Sequence, residues 1–454
     1  MRDRGQHRNR RTDGKRRPSV FLISSTMAIV VVASGCSSQI IPQPELPAGL
    51  QVAPDADRVD LKMPTFTHPT EITNPLFPVS RQASVLLLGQ VGGLPFRTEV
   101  TLLPETRIID WEGQRVEVAV SQYTAYLNGK ITEVAIDLYA QADDGSVWYF
   151  GEDVFDFRDG AIVVTEGTWL AGRDGPAAMI MPANPQIGDV YRAENAPGFV
   201  FEQVSVAAVG QTLDGPLGPI QGGITADELH ADGAHEQKIF APGYGEFLTG
   251  DGGDLEALAL AVPTDSLSQP VPDALTTLSS GALAVMDAAG SGDWSVASTT
   301  ANDMATAWVT YRTGIVSKLI EPLMTDALDR FAAAVDSQDA ALARQAAIDV
   351  ARLAFDLQLR YRPVVEVDLA RLDLWAAQLI LDARAGDLPA FNADAFALDY
   401  VRDRIVHALS TSDRTSVNIE MGTIQAAVVD EDMNAGAEAA SQLRSVIAGI
   451  TSAS

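Results

Sequence analysis

Two short runs carry the side chains best suited to chemistry. Asp137, Tyr139 and Gln141 alternate along one, Trp148, Phe150 and Glu152 along the next, and Asp144-Gly145 lies between them. Side chains alternate across a β-strand, and Asp-Gly favours a two-residue turn with positive φ at both centres. A hairpin closed by those two residues sets Gln141 opposite Trp148, Tyr139 opposite Phe150 and Asp137 opposite Glu152. All six then share one face, with Ile136, Leu138, Ala140, Val147 and Tyr149 on the other. Like charges directly across a ladder repel, so Asp137 and Glu152 call for a cation, a shared proton or a basic neighbour. Such a face could take a ligand, or its carboxylates could serve as an acid–base pair. It could equally pack under a loop or another domain, and a register slip of one residue would abolish the pairing.

Other polar clusters read as less specific. Glu228, His230, Asp232, His235 and Glu236 are metal-compatible types, but their spacing on a glycine-containing stretch matches no rigid ligand set, and they read as a solvated loop. Asp251, Asp254 and Glu256 around Gly252-Gly253 lack the order of a calcium loop and read as a turn. Asp403 and His407 point away from the stripe of Leu398, Val401, Ile405 and Leu409, as an exposed ion pair would. Glu366, Asp368 and Asp373 with Arg371 read as a charged outer helix face. There is no nucleophile elbow, phosphate loop or His-Glu-x-x-His; after His235-Glu236, Ile239 stands where a second histidine belongs. No helix follows Gly243-Tyr244-Gly245 to make a dinucleotide site. No metal site, cofactor or catalytic residue is assigned.

The elements that must position these groups fall into two classes. Val85 to Leu88, Thr98 to Leu103, Val116 to Tyr126 and Ile131 to Gln141 are rich in β-branched and aromatic residues. Asp144-Gly145 and Asp159-Gly160 mark tight turns, so the first part is expected to be a large antiparallel meander, as a curved sheet or half-barrel. Beyond the Pro-rich stretch 263–272, alanine and leucine dominate. Val365, Leu369, Leu372, Ala376 and Leu379 follow Pro363 with the period of one helix face, and Leu342, Ala346, Val350, Leu353 and Leu357 repeat it. Ala385-Gly386-Asp387 separates one helix from the next. The expected fold class is α+β in two domains: an antiparallel β domain over 65–262, a linker over 263–272, and an all-α antiparallel helical bundle over 273–454.

Ahead of these lies an export segment. Six basic residues between Arg8 and Arg17 precede an apolar run from Val20 to Ala33, then Ser34-Gly35-Cys36. That run is shorter than the roughly 20 apolar residues of a membrane crossing. It reads as a lipoprotein signal peptide over 1–35, with Cys36 as the lipidation site and 36–64 as a Pro-rich tether. A plain signal peptide and an uncut signal anchor are the alternatives, and Arg16-Arg17 leaves Sec or twin-arginine export open. Cleavage before Cys36 leaves 24 basic and 58 acidic residues, a formal charge of −34. Such a surface repels nucleic acid and anionic headgroups. Cys36 is the chain's one cysteine, so its lipidation removes disulfides and thiol chemistry from the mature protein.

Several stretches resemble a family of uncharacterised bacterial secreted proteins and lipoproteins. They are Asn74-Pro75-Leu76-Phe77-Pro78, the hairpin from Asp137 to Glu152, Gly167-Thr168-Trp169, Met181-Pro182-Ala183-Asn184-Pro185, Tyr191, Lys238 and Ala241 to Gly245. Leu138 stands where an aromatic is common, and Ala142 where an aspartate often follows Gln141. The resemblance covers the first domain and implies no catalytic residue. The expected protein is anchored to the cell membrane by lipid, on the extracytoplasmic side, with a non-enzymatic ligand-binding or scaffold role. Its expected partners are the membrane, through the lipid, and a small-molecule ligand or an envelope protein. The competing readings are an envelope hydrolase using Asp137 and Glu152, and a lipid carrier.

Overall fold

The computed structural model describes residues 49–453 apart from 197, 199 and 252; the export segment 1–35 and Cys36 lie outside the described residues. Fourteen strands precede eight α-helices among the described residues. The strands are β1 (Ser84–Val91), β2 (Leu94–Trp111), β3 (Gln114–Leu127), β4 (Lys130–Gln141), β5 (Val147–Arg158), β6 (Ala161–Val164), β7 (Trp169–Leu170), β8 (Ala178–Met181), β9 (Val190–Ala196), β10 (Val200–Gly215), β11 (Gly218–His230), β12 (His235–Ala241), β13 (Gly245–Asp251) and β14 (Asp254–Val262). The helices are α1 (Asp273–Ser291), α2 (Trp294–Tyr311), α3 (Ile320–Asp336), α4 (Ala340–Gln358), α5 (Val364–Ala385), α6 (Leu388–Ile405), α7 (Thr411–Val429) and α8 (Met433–Ala453). This is the expected α+β layout of a large open antiparallel sheet followed by helices.

The sheet is two meanders joined through the first and last strands. β6 to β1 run in sequence order, β1 pairs with β14, and β14 to β9 follow. Four turns set the register of the first meander: Gly92-Gly93, Glu112-Gly113, Asn128-Gly129 and Asp159-Gly160 have positive φ at both residues. That geometry matches the right-handed strand twist, which is why glycine takes the second place each time. The sheet curls until β4, β5 and β8 face β9 to β12 across a shared interior.

The helices pack on the outer face of this curl. Leu86, Leu88, Leu260 and Val262 join a core with Leu275, Leu278 and Val285 of α1 and with α3 and α4. Tyr126, Ile131, Val134 and Phe157 join a second core with α5 to α8. Alternation leaves Val85 and Leu87 for the inner face. Glycine in a left-handed C-cap and aspartate at the next N-cap separate successive helices at Gly292-Asp293 and Gly386-Asp387. Among the described residues, no helix is long and apolar enough to cross a membrane.

Two connecting stretches are tied down. In the expected tether, Ala53 N donates to Gln203 Oε1 at 2.9 Å and Val59 N to Val190 O at 2.9 Å. Arg58 grips Asp60, which also accepts from Arg192 N at 3.1 Å. In the expected linker, Asp265 accepts from Tyr244 Oη and Ala261 N, and Leu267 N donates to Arg360 O.

The outer face of α5 also departs from its sequence reading. Asp368 and Arg371 are buried, not exposed, because α5 lies between the sheet and its neighbouring helices. They belong to a network of three arginines and three carboxylates joining β2 to α4, α5 and α6. Arg97 binds Asp356 through two bonds of 2.7 Å and Glu99 at 2.6 Å. Arg371 reaches Asp356 at 2.7 Å and Asp368 at 2.9 Å, and Arg404 reaches Glu99 at 2.5 Å. Glu366 and Asp373 pair instead with Arg362 and Arg444.

Candidate functional site

The first hairpin is not closed by two residues. Asp144 Oδ1 accepts from Ser146 N at 3.0 Å and Ser146 Oγ at 2.6 Å, widening the turn to residues 142–146. Gln141 therefore pairs with Val147, Ala140 with Trp148 and Tyr139 with Tyr149. A bulge at Phe150-Gly151 then restores Asp137 opposite Glu152. Gly151 has φ +121°, and a Cβ there would lie 2.2 Å from Trp169 O, so only glycine fits.

The six expected residues thus divide between two faces. Asp137, Tyr139 and Glu152 face the interior. Tyr139 stacks on Tyr149 with centroids 4.8 Å apart, and Tyr149 Oη donates to Asp137 Oδ1 at 2.6 Å. Trp148 and Phe150 turn to the opposite face, against Trp111 and Phe66, and Trp148 Nε1 donates to Ser146 Oγ at 2.9 Å. Gln141 is spent on the backbone: its Oε1 accepts from Thr73 N and Asn74 N, both at 2.8 Å.

Residues from the resembling stretches meet at this point. Asn74 Nδ2 donates to Gly145 O and Pro182 O, and Gly243 N donates to Pro75 O. Phe77 lies edge-on to Tyr139 at 5.1 Å. The segment before β1 therefore ties the β4–β5 turn and the end of β8 to the β12–β13 turn, with Phe77 in the wall of the interior.

Inside the curl are two adjoining cavities of about 110 and 160 Å³, with Phe77, Tyr139 and Glu246 in both walls. Tyr123, Asp137 and Glu256 line the first, above the apolar Val85, Leu87, Val100 and Leu102. Tyr149, Tyr191, Glu194, Glu202, Glu228 and Lys238 line the second. Among the described lining residues, six carboxylates stand against one basic side chain, Lys238.

Burial dominates their acidities. It raises Asp137 to about 7, against the Tyr149 hydrogen bond, which lowers it. Burial, then repulsion by Glu246, raises Glu256 to about 8, and burial with Asp156 and Asp137 raises Glu133 to about 7. Glu152 and Glu194 are also pushed well up by burial, Glu152 further by Asp137 and Glu194 by Glu202. Glu202 goes the other way: burial opposes its charge, but Lys238 and His230 hold it down at about 2. The Tyr123, Tyr139 and Tyr149 hydroxyls, raised by burial, remain protonated donors.

Glu228 to Glu236 is not a solvated loop. β11 and β12 form a hairpin that places Glu228 and His230 on one face, and Glu228 is 1% exposed. Glu256 lies on the inner face of β14, and Asp254 Oδ1 accepts from Gly92 N at 2.8 Å. Arg402 pairs with Asp403, and His407 is exposed. Sequence reasoning missed Glu194, Glu202, Glu246 and Glu256 as members of one site. The available signal was a carboxylate at the inward parity of β9, β10, β11, β13 and β14.

A comparison with protein-family models returns no match, and a comparison with curated protein sequences returns none either.

Proposed function

We propose that this is a non-enzymatic binding protein held at the extracytoplasmic membrane surface by a lipid on Cys36, and that its cavity takes a small organic cation. The carrying observation is the excess of six carboxylates over one lysine around cavities walled by tyrosine rings. Buried carboxylates repel one another and bear protons or a cation, and tyrosine faces attract an ammonium group. A cavity near 150 Å³ holds a molecule of about the size of benzene, so an amine of a few heavy atoms fits and an acyl chain does not.

The test is isothermal titration with tetramethylammonium and putrescine. Asp137→Asn and Glu256→Gln are each expected to weaken binding at least about tenfold, or ~1.4 kcal/mol. Trp148→Ala, on the far face, should leave the affinity of the folded protein unchanged. Failure of both amines to bind at millimolar concentration overturns the reading. In the native host, Cys36→Ser is expected to move the protein from the membrane to the soluble fraction.

One observation favours a second reading, a hydrolase using Asp137 and Glu152. Asp137 has a pKa of about 7 and accepts a hydrogen bond from Tyr149 beside a second carboxyl. Turnover of a bound compound, lost in Asp137→Asn, would decide for it.

A further inference from the structure

At the far end of the second cavity, four side chains form a square on three adjacent strands. Glu228 and His230 are two apart on β11 and share a face. Glu202 on β10 pairs with His230, and Glu236 on β12 pairs with Glu228. One ligand atom each from Glu202, Glu228 and His230 lie within 4.8 Å of one another. His230 Nδ1 is 3.4 Å from Glu202 Oε1, and Nε2 is 3.9 Å from Glu228 Oε1 and 3.7 Å from Glu236 Oε2.

Glu228 supplies an independent observation. It is 1% exposed, and its Oε1 has no hydrogen-bond partner although it faces the imidazole. Its other oxygen is held by Lys238 Nζ at 3.1 Å. A buried carboxylate oxygen with no N–H donor is costly; without an ion, a proton shared with Glu202 offsets that cost, and Lys238 fixes Glu228 so that this oxygen stays aimed at the cluster.

We propose that Glu202, Glu228 and His230, with Glu236 beside them, bind a divalent transition-metal cation of the zinc class. One imidazole with carboxylate oxygens is a borderline donor set, better suited to Zn²⁺ than to Ca²⁺ or Mg²⁺. Binding displaces the protons that His230 and Glu228 carry without the ion; three glutamates against Lys238 then leave two negative charges, which a dication cancels. Tetrahedral metal–donor bonds of about 2.0–2.2 Å set donors about 3.3–3.6 Å apart, so the atoms of Glu202, Glu228 and His230, which lie within 4.8 Å of one another, draw together when the ion binds. Lys238 orients Glu228 from behind and keeps its second oxygen toward the ion.

This site lies beyond the organic-cation reading and is tested separately from it. The full-length exported protein is stripped with chelator and titrated with zinc alone. One zinc per chain is expected, with affinity at least about tenfold lower in Glu228→Gln and in His230→Gln, and unchanged in Trp148→Ala. Anomalous diffraction from zinc-loaded crystals of the unmodified protein covers the case in which a variant does not fold. A peak about 2 Å from a His230 nitrogen supports the site. A peak elsewhere, the absence of saturable zinc, or equal affinity in both folded variants overturns it. Zinc binding without amine binding would leave this site standing and remove the organic-cation reading.

Discussion

Arg404→Met is expected to destabilise the protein by about 3–5 kcal/mol, the usual cost of removing one partner from a buried ion pair. The guanidinium is 1% exposed and uses three groups of the sheet: Glu99 Oε2 at 2.5 Å, Gln122 Oε1 at 2.6 Å and Thr124 Oγ1 at 3.0 Å. Burial alone would raise the Glu99 carboxyl, but Arg371, Arg97 and Arg404 together hold it well below its ordinary value. Without Arg404 the network keeps three carboxylates and two cations, and Gln122 and Thr124 lose their partner. Methionine fills much of the same volume, so the loss is electrostatic rather than a cavity. Urea unfolding monitored by circular dichroism measures the difference. In the double variant Glu99→Gln, Arg404→Met the charges balance again, and part of the lost stability should return. A single-variant cost below about 1 kcal/mol would show that the network does not hold sheet and helices together.

The sequence carried the elements because their signals are local. Asp159-Gly160 forms the turn its residue types call for, and Pro363 and Gly386-Asp387 bound α5 as read. The first hairpin failed for an equally local reason: the Asp144 side chain competes for Ser146 N and widens the turn. What was not legible is the curl. Each strand from β9 to β14 presents one or two inward carboxylates, and nothing in any one strand says that the others face it. Arg371 on α5 looks like a surface residue until Asp356 and Arg97, on α4 and β2, close over it. Asp137 opposite Glu152 was anticipated, yet for a register that does not form; the bulge at Gly151 recovers the pair. The aromatic half of the expected face went the other way, because one residue of slip moves every side chain to the opposite face.

Thermal stability of the ligand-free protein should fall as pH rises from 5 to 9. The native pKa of Glu256 is about 8, with burial first and Glu246 second, against about 4.3 in an unfolded chain. Between those values the native state holds a proton that the unfolded state has lost, so each rise in pH favours unfolding. The contribution is complete below about pH 4, declines through the window and is gone above pH 8. Asp137 and Glu133, both near 7, act with the same sign. The groups facing Glu256 are Glu246, Glu133, Lys238 and the Thr98 hydroxyl; Lys238 and Thr98 stabilise its charged form but do not outweigh burial. Glu99 and Asp356, held low by arginine, lose their contribution only below the ordinary carboxylate range. The three raised acids together should cost about 2–4 kcal/mol across the window, after allowance for water in the cavity. Glu256→Gln keeps the shape and removes the charge, so it should raise the melting temperature at pH 9 and leave it nearly unchanged at pH 5. A saturating cation in the cavity should flatten the same profile, because it replaces the missing protons. Stability that is level or rising from pH 5 to 9, with no gain from Glu256→Gln at pH 9, would show that these carboxylates ionise freely. A cavity whose acids ionise without cost has no need of a cation.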